Sequence, residues 1–104
     1  MAKQKKFTKE LTNEDDLDIT PFYEKGKIIK FALNYRAVIK GKSQPIYRVD
    51  NYHGFLHEQR LWRTKKPIPL NEPGLSNNQI VDKYVDEICF NFYKYKEYYT
   101  KAIK

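Results

Sequence analysis

One cysteine, Cys89, stands in the 104 residues. A lone thiol makes no internal disulfide and no multi-cysteine zinc site. Nor does any stretch approach the roughly 18 apolar residues needed to cross a membrane. The basic start, Met1 to Lys6, runs into Phe-Thr-Lys-Glu rather than the apolar stretch of a secretory signal. A cytoplasmic protein without membrane association is therefore expected. There is no Gly-rich phosphate loop and no Gly-x-Ser-x-Gly elbow, which argues against P-loop and serine-hydrolase chemistry. No cofactor is expected. Histidine is scarce, with two residues, and glycine is limited to four.

Aromatic residues, by contrast, are plentiful: nine Tyr, six Phe and one Trp within a 40% hydrophobic chain. That is enough apolar material to offset the entropy of ordering, so the chain should fold rather than stay disordered. Its length fits one domain with one modest core. The formal charge of +7 is unevenly placed. Residues 1–23 carry a net −1, residues 24–70 a net +8, and residues 71–104 are balanced. A local excess of this size attracts polyanions over roughly 8 Å at physiological salt. RNA or another nucleic acid is the first partner class to consider, an acidic protein the second.

Residues 1–20 read as a charged arm, part of it a short edge strand or a frayed helix, ahead of one α+β domain over 21–104. In 28–39, Ile29, Phe31, Leu33, Tyr35, Ala37 and Ile39 alternate with Lys30, Ala32, Asn34, Arg36 and Val38. Period two predicts a strand with one apolar face. A turn at 40–43 and β-formers Ile46, Tyr47 and Val49 predict a second strand over 45–52, closing a hairpin. Parity then places Tyr47 and Val49 with Leu33 and Tyr35, and Arg48 and Asp50 with Asn34 and Arg36. A cross-strand Arg36–Asp50 ion pair is one reading of that polar face. Phe55 to Arg63 reads as a third strand or a short helix, with strand preferred. Pro67 and Pro69 keep their segment extended. Ser76 and Gln79 form a capping-box pattern ahead of a helix over about 77–101. Its stripe of Ile80, Val81, Tyr84, Ile88, Phe92, Tyr95 and Tyr99 should pack on the apolar sheet face. Cys89 reads as a core residue of this helix. Phe90 and Tyr93 fall off the stripe, which a homodimer contact, an antitoxin-like partner or the N-terminal arm would explain.

Both histidines lie in Tyr47-Arg48-Val49-Asp50-Asn51-Tyr52-His53-Gly54-Phe55-Leu56-His57. Histidine exchanges protons near neutrality, and arginine presents a charged fork to phosphate oxygens. A metal-free ribonuclease needs a base, an acid and a cation. His53 and His57 are the acid–base candidates, with Asp50 to orient one of them. Arg36, Arg48, Arg60, Arg63, Lys65 and Lys66 are the phosphate contacts. A turn and hydrogen-bonding role for Asp50, Asn51 and the histidines is the plainer alternative. A metal would draw on Asp50, His53 and His57, but Gly54 breaks any helix that would align them, so none is expected.

The run Phe31-Ala32-Leu33-Asn34-Tyr35-Arg36, followed by Pro45-Ile46-Tyr47-Arg48-Val49-Asp50-Asn51-Tyr52-His53-Gly54-Phe55-Leu56-His57, resembles small prokaryotic proteins similar to TumE-type toxins of toxin–antitoxin modules. The match spans residues 28–57, on Arg48, Asp50, Asn51, His53, Gly54 and His57. After the glycine those proteins carry a denser run of His and Arg than Phe55-Leu56-His57-Glu58. The resemblance implies a toxin-like, RNA-directed protein. From the residues alone, a non-catalytic nucleic-acid-binding module and a protein–protein interaction or dimerisation domain stay open beside it.

Overall fold

The computed structural model describes residues 3–52 and 54–103. Strands β1 (Lys3–Gln4), β2 (Phe7–Thr12), β3 (Asp15–Glu24), β4 (Lys27–Ile39), β5 (Lys42–Asp50), β6 (His57–Arg60) and β7 (Ile68–Pro69) precede helix α1 (Asn77–Ala102). The strands form one antiparallel sheet in the order β1-β3-β4-β5-β6-β7, and β2 shares the outer edge of β3 with β1. The expected α+β class, with an antiparallel sheet against a long C-terminal helix, is what the chain forms.

Residues 3–20 are not a free arm. Asp15 to Glu24 pair with β4 along nearly its whole length, and Leu17 is fully buried. Asp15, also buried, accepts hydrogen bonds from the hydroxyls of Tyr35 (2.5 Å) and Thr12. Alternation holds here too: Leu17 and Ile19 go to the core side, Asp16 and Asp18 to the other. The β3–β4 and β4–β5 hairpins both close on a Lys-Gly pair with positive φ, 52° and 77° at Lys25-Gly26, 53° and 79° at Lys40-Gly41. These left-handed pairs match the twist of tight two-residue hairpins.

The expected parity is realised: Tyr35 faces Tyr47, Leu33 faces Val49, and Asn34 faces Arg48. Two irregularities shift the pattern. Pairing steps from Phe22–Lys30 to Tyr23–Ile28, so Ile29 is the extra residue; it is exposed while Ile28 is buried. Pairing likewise skips Ile46, which lets Ile46 and Tyr47 both be buried. A bulge lets two successive side chains depart from strict alternation.

Helix α1 starts at a capping box, with Gln79 N donating to Ser76 Oγ and Ser76 N to Gln79 Oε1. Three asparagines dock that end on the irregular stretch of β4. Asn77 Nδ2 donates to the Ile28 and Ile29 carbonyls, Ile28 N to Asn78 Oδ1, and Phe31 N to Asn51 Oδ1. The helix then lays Ile80, Val81, Tyr84 and Ile88 over Leu17, Phe31, Leu33, Tyr35 and Val49. Each large side chain buried this way contributes about 1.5–3 kcal/mol. Cys89 is partly buried against the same cluster. Tyr47 stacks on Tyr95 (4.7 Å), which stacks on Trp62 (5.4 Å). Phe90 and Tyr93 point outward, 78% and 57% exposed, and strands β1 and β2 lie in the sheet rather than folding over them. No helix among the described residues is long and apolar enough to cross a membrane.

Buried phenols should govern alkaline stability, Tyr35 and Tyr47 foremost and Tyr84 beside them. Burial, reinforced by hydrogen bonds to Asp15 and Glu58, pushes Tyr35 and Tyr47 well above the ordinary value of 10.0. Above pH about 10 the unfolded chain loses these protons while the native state keeps them. Their stabilisation is therefore complete below pH 10 and is lost as pH rises. Urea midpoints should fall steeply from about pH 10, and less steeply in Tyr47→Phe; identical slopes in both proteins would refute the assignment.

Candidate binding site on the helix-free face of the sheet

The helix covers one face of the sheet, and alternation sends a fixed set of residues to the other. Thr8, Asp18, Asn34, Arg48 and Gln59 are register partners in successive strands and form one line across that open face. The next line holds Thr20, Ala32, Asp50 and His57. Thr20 and Ala32 are short, so the surface dips there. A hollow of about 290 Å³ is lined by Thr20, Ala32, Arg48, Asp50 and Tyr52. A second, of about 350 Å³, is lined by Arg48, Asp50, Phe55, His57, Gln59 and Pro67. Arg48 and Asp50, two residues apart on β5, are the ridge between them.

Arg48 is the unusual member. Its Nε is sealed from solvent without a hydrogen-bond partner, and no carboxylate pairs with it among the described residues. The opposing Asn34 Oδ1 is also sealed and unpaired. A sealed, unpaired polar atom costs about 1–3 kcal/mol, more where charge is involved. Both register partners of Arg48, Asn34 and Gln59, are neutral amides, so neither compensates the guanidinium.

Asp50 and His57 are both buried, and His57 Nε2 lies 3.2 Å from Asp50 Oδ1. The other ring nitrogen, Nδ1, is 3.2 Å from the Phe55 carbonyl. Both imidazole nitrogens thus meet protein acceptors, and Asp50 Oδ1 also accepts from Tyr52 N (3.3 Å). Of the acid–base trio, Asp50 and His57 come together; His53 lies outside the described residues. Among those residues no three His, Cys, Asp or Glu side chains converge on a metal position.

The proposed phosphate contacts divide. Arg36 does not pair with Asp50. It donates to Asp18 (Nε–Oδ2, 2.9 Å) and lies 3.3 Å from Asp16, because β3 sets those carboxylates beside it while Asp50 sits opposite Ala32. Burial works to raise the Asp18 carboxyl, but hydrogen bonds from Arg36 and Thr8 outweigh it and hold the group below its ordinary value. Arg60 faces the helix side and is bound to buried Glu58 (2.7 Å), which also accepts from the Tyr47 hydroxyl. Arg63, Lys65 and Lys66 are exposed in the loop leading to Pro67, a loop pinned by Gln59 Nε2 donating to the Lys65 carbonyl (2.7 Å). Asn51 is structural: its side chain and backbone both bond to Phe31, extending the β4–β5 ladder.

The aromatic walls were not among the residues singled out from the sequence. Tyr52 meets Phe22 edge to face at 5.1 Å, and Lys30 Nζ lies over both rings, at 4.9 Å from Phe22 and 5.5 Å from Tyr52. Burial and the Asp50 charge raise the Tyr52 phenol. Phe55, 45% exposed, tilts against His57 at 4.9 Å. The period-two rule that placed Arg48 and Asp50 also places Lys30 on this face, once β3 is recognised as a partner strand.

The result is an open-faced α+β sheet with a polar, aromatic-walled floor. The chain belongs to a family described as a domain of unknown function (DUF7718), which it matches over residues 1–104. No curated protein and no solved structure matches it.

The two ridge residues should behave oppositely in stability. Asp50→Ala deprives buried His57 of an acceptor and should lower unfolding free energy by about 1–3 kcal/mol. Arg48→Gln removes a sealed, unpaired group, and should leave stability unchanged or raise it by up to about 3 kcal/mol. Urea denaturation decides; a large loss in Arg48→Gln would show the guanidinium to be structural.

Proposed function

We propose that the chain is a non-catalytic module that binds single-stranded nucleic acid across the helix-free face, with a phosphate held by Arg48. The observation that carries this reading is the uncompensated Arg48 guanidinium on a ridge between two hollows. Phosphate oxygens match such a fork in geometry and charge. A strand laid across the sheet would meet Lys30 on one side of Arg48 and the Lys65-Lys66 loop on the other. The net charge of +7 adds long-range attraction. The Asp16–Arg36–Asp18 cluster, internally paired, bounds the path.

A TumE-like ribonuclease with an antitoxin-like partner is the second reading, favoured by Asp50 and His57 sharing a hollow with Arg48. Under it, Phe90 and Tyr93 would be the surface for the antitoxin-like chain or for a homodimer. The engagement of both His57 nitrogens argues for a positioning strut rather than a proton carrier, and so favours binding over cleavage.

Anisotropy of a labelled mixed-sequence RNA, run alongside a gel for cleavage, tests the choice. Binding should weaken with salt, since single strands release counterions with a slope of roughly −0.7 per neutralised phosphate. Arg48→Gln should lose about tenfold or more, the value of a charge-assisted hydrogen bond, without any cleavage in the wild type. RNA cut by the wild type but not by folded His53→Ala or His57→Phe would install the ribonuclease instead. A folded protein that leaves RNA free at low salt would remove both readings.

A further inference from the structure

The geometry points to a two-nucleotide unit as the ligand of this face: one phosphodiester on Arg48, with one nucleoside in each flanking hollow. This deepens the nucleic-acid reading above and rests on it. Three observations support it.

The hollows are of similar size, about 290 and 350 Å³, and share Arg48 and Asp50 as their common wall. The first lies over β3–β4–β5 and the second over β5–β6 and the loop to Pro67. Their centres are therefore about one to two interstrand spacings apart, roughly 5–10 Å. A single phosphate needs only one of them, whereas consecutive nucleosides joined at the ridge use both.

Each hollow carries one aromatic wall, Tyr52 in the first and Phe55 in the second. Phe22 braces Tyr52, and His57 backs Phe55. Braced rings suit stacking because little side-chain freedom is lost when a base arrives. Such stacking tolerates any base, since every base has a π face.

Charge is graded in the sense such a ligand requires. At the ridge the cation is uncompensated, while the neighbouring anion, Asp50, is occupied by His57 and Tyr52 N. Beyond the first hollow Lys30 stands over the Phe22 and Tyr52 rings, a position for the next phosphate along the strand. In a duplex each base is stacked between its neighbours and has no free face for either wall, so the site selects single strands over duplex.

Competition against a labelled eight-nucleotide adenosine RNA, using the full chain, tests the inference. Adenylyl-adenosine (ApA) should displace it roughly tenfold better than adenosine monophosphate, the gain expected of one further stacked base. Tyr52→Leu and Phe55→Leu should each bring ApA down to the level of the monophosphate, while Phe55→Trp should retain the gain. Unchanged urea midpoints in these surface variants exclude misfolding as the cause. Equal displacement by ApA and the monophosphate, or equal binding of an eight-base-pair duplex, would overturn the two-hollow ligand. If Arg48→Gln still weakened the octamer in that case, nucleic-acid binding itself would stand. Failure of the octamer to bind at all would overturn both.

Discussion

One helix covers one face of a sheet, and here the sheet has two. Helix α1 takes the side of Leu17, Leu33, Tyr35 and Val49, and its apolar stripe is spent there. Among the described residues no helix lies over the other side, so the strands supply it mostly with polar, amphipathic or short residues. That constraint sets the composition of the open face before any function is considered. It also explains the bulges. Where β4 changes phase at Ile29 and β5 at Ile46, side chains are redistributed so that the helix finds a continuous apolar bed.

Within the open face, the difference between two arginines follows from their neighbours. Arg36 is flanked by β3 carboxylates and is neutralised by them; Arg48, two strands away from those acids, meets Asn34 and Gln59. The same side chain is thus ion-paired at one position and without an ion pair among the described residues at the other. Asp50 and His57 brace each other across β5 and β6, fixing the ridge from which Arg48 projects and the wall on which Phe55 leans. The site is a by-product of strand pairing sharpened by two neutral amides.

Much of this was legible in the residues. Period two over 28–39, the β-formers at 46–49 and the capping box at Ser76 lead to the central hairpin, its register and the helix, because each rests on local geometry. The strand over 15–24 was hidden: three aspartates and Pro21 mask an alternation that only pairing with β4 makes favourable. For the same reason Arg36 was matched with Asp50 instead of Asp16 and Asp18. The site was half visible. Arg48, Asp50 and His57 follow from one segment, and Lys30 shares the parity of Asn34 and Arg36, but Thr20 and Phe22 come from a strand more than 20 residues away that no local pattern joins to them. Arg60 illustrates the converse, since a basic residue inside a basic segment turned out to serve buried Glu58 on the opposite face.

The borders of the sheet have their own consequence. On one side β7 is two residues long and ends at Pro69, with Pro67 just before it, so that border lacks amide donors at both positions. On the other side the border is split into Lys3–Gln4 and Phe7–Thr12, offset at Lys5-Lys6 and irregular near Thr12. Charged, interrupted or proline-bearing margins do not template another strand. A chain this rich in aromatic β-formers would otherwise be prone to stacking into fibrils; here growth is stopped at both rims, and the broad exposed floor can stay unfilled without inviting self-assembly.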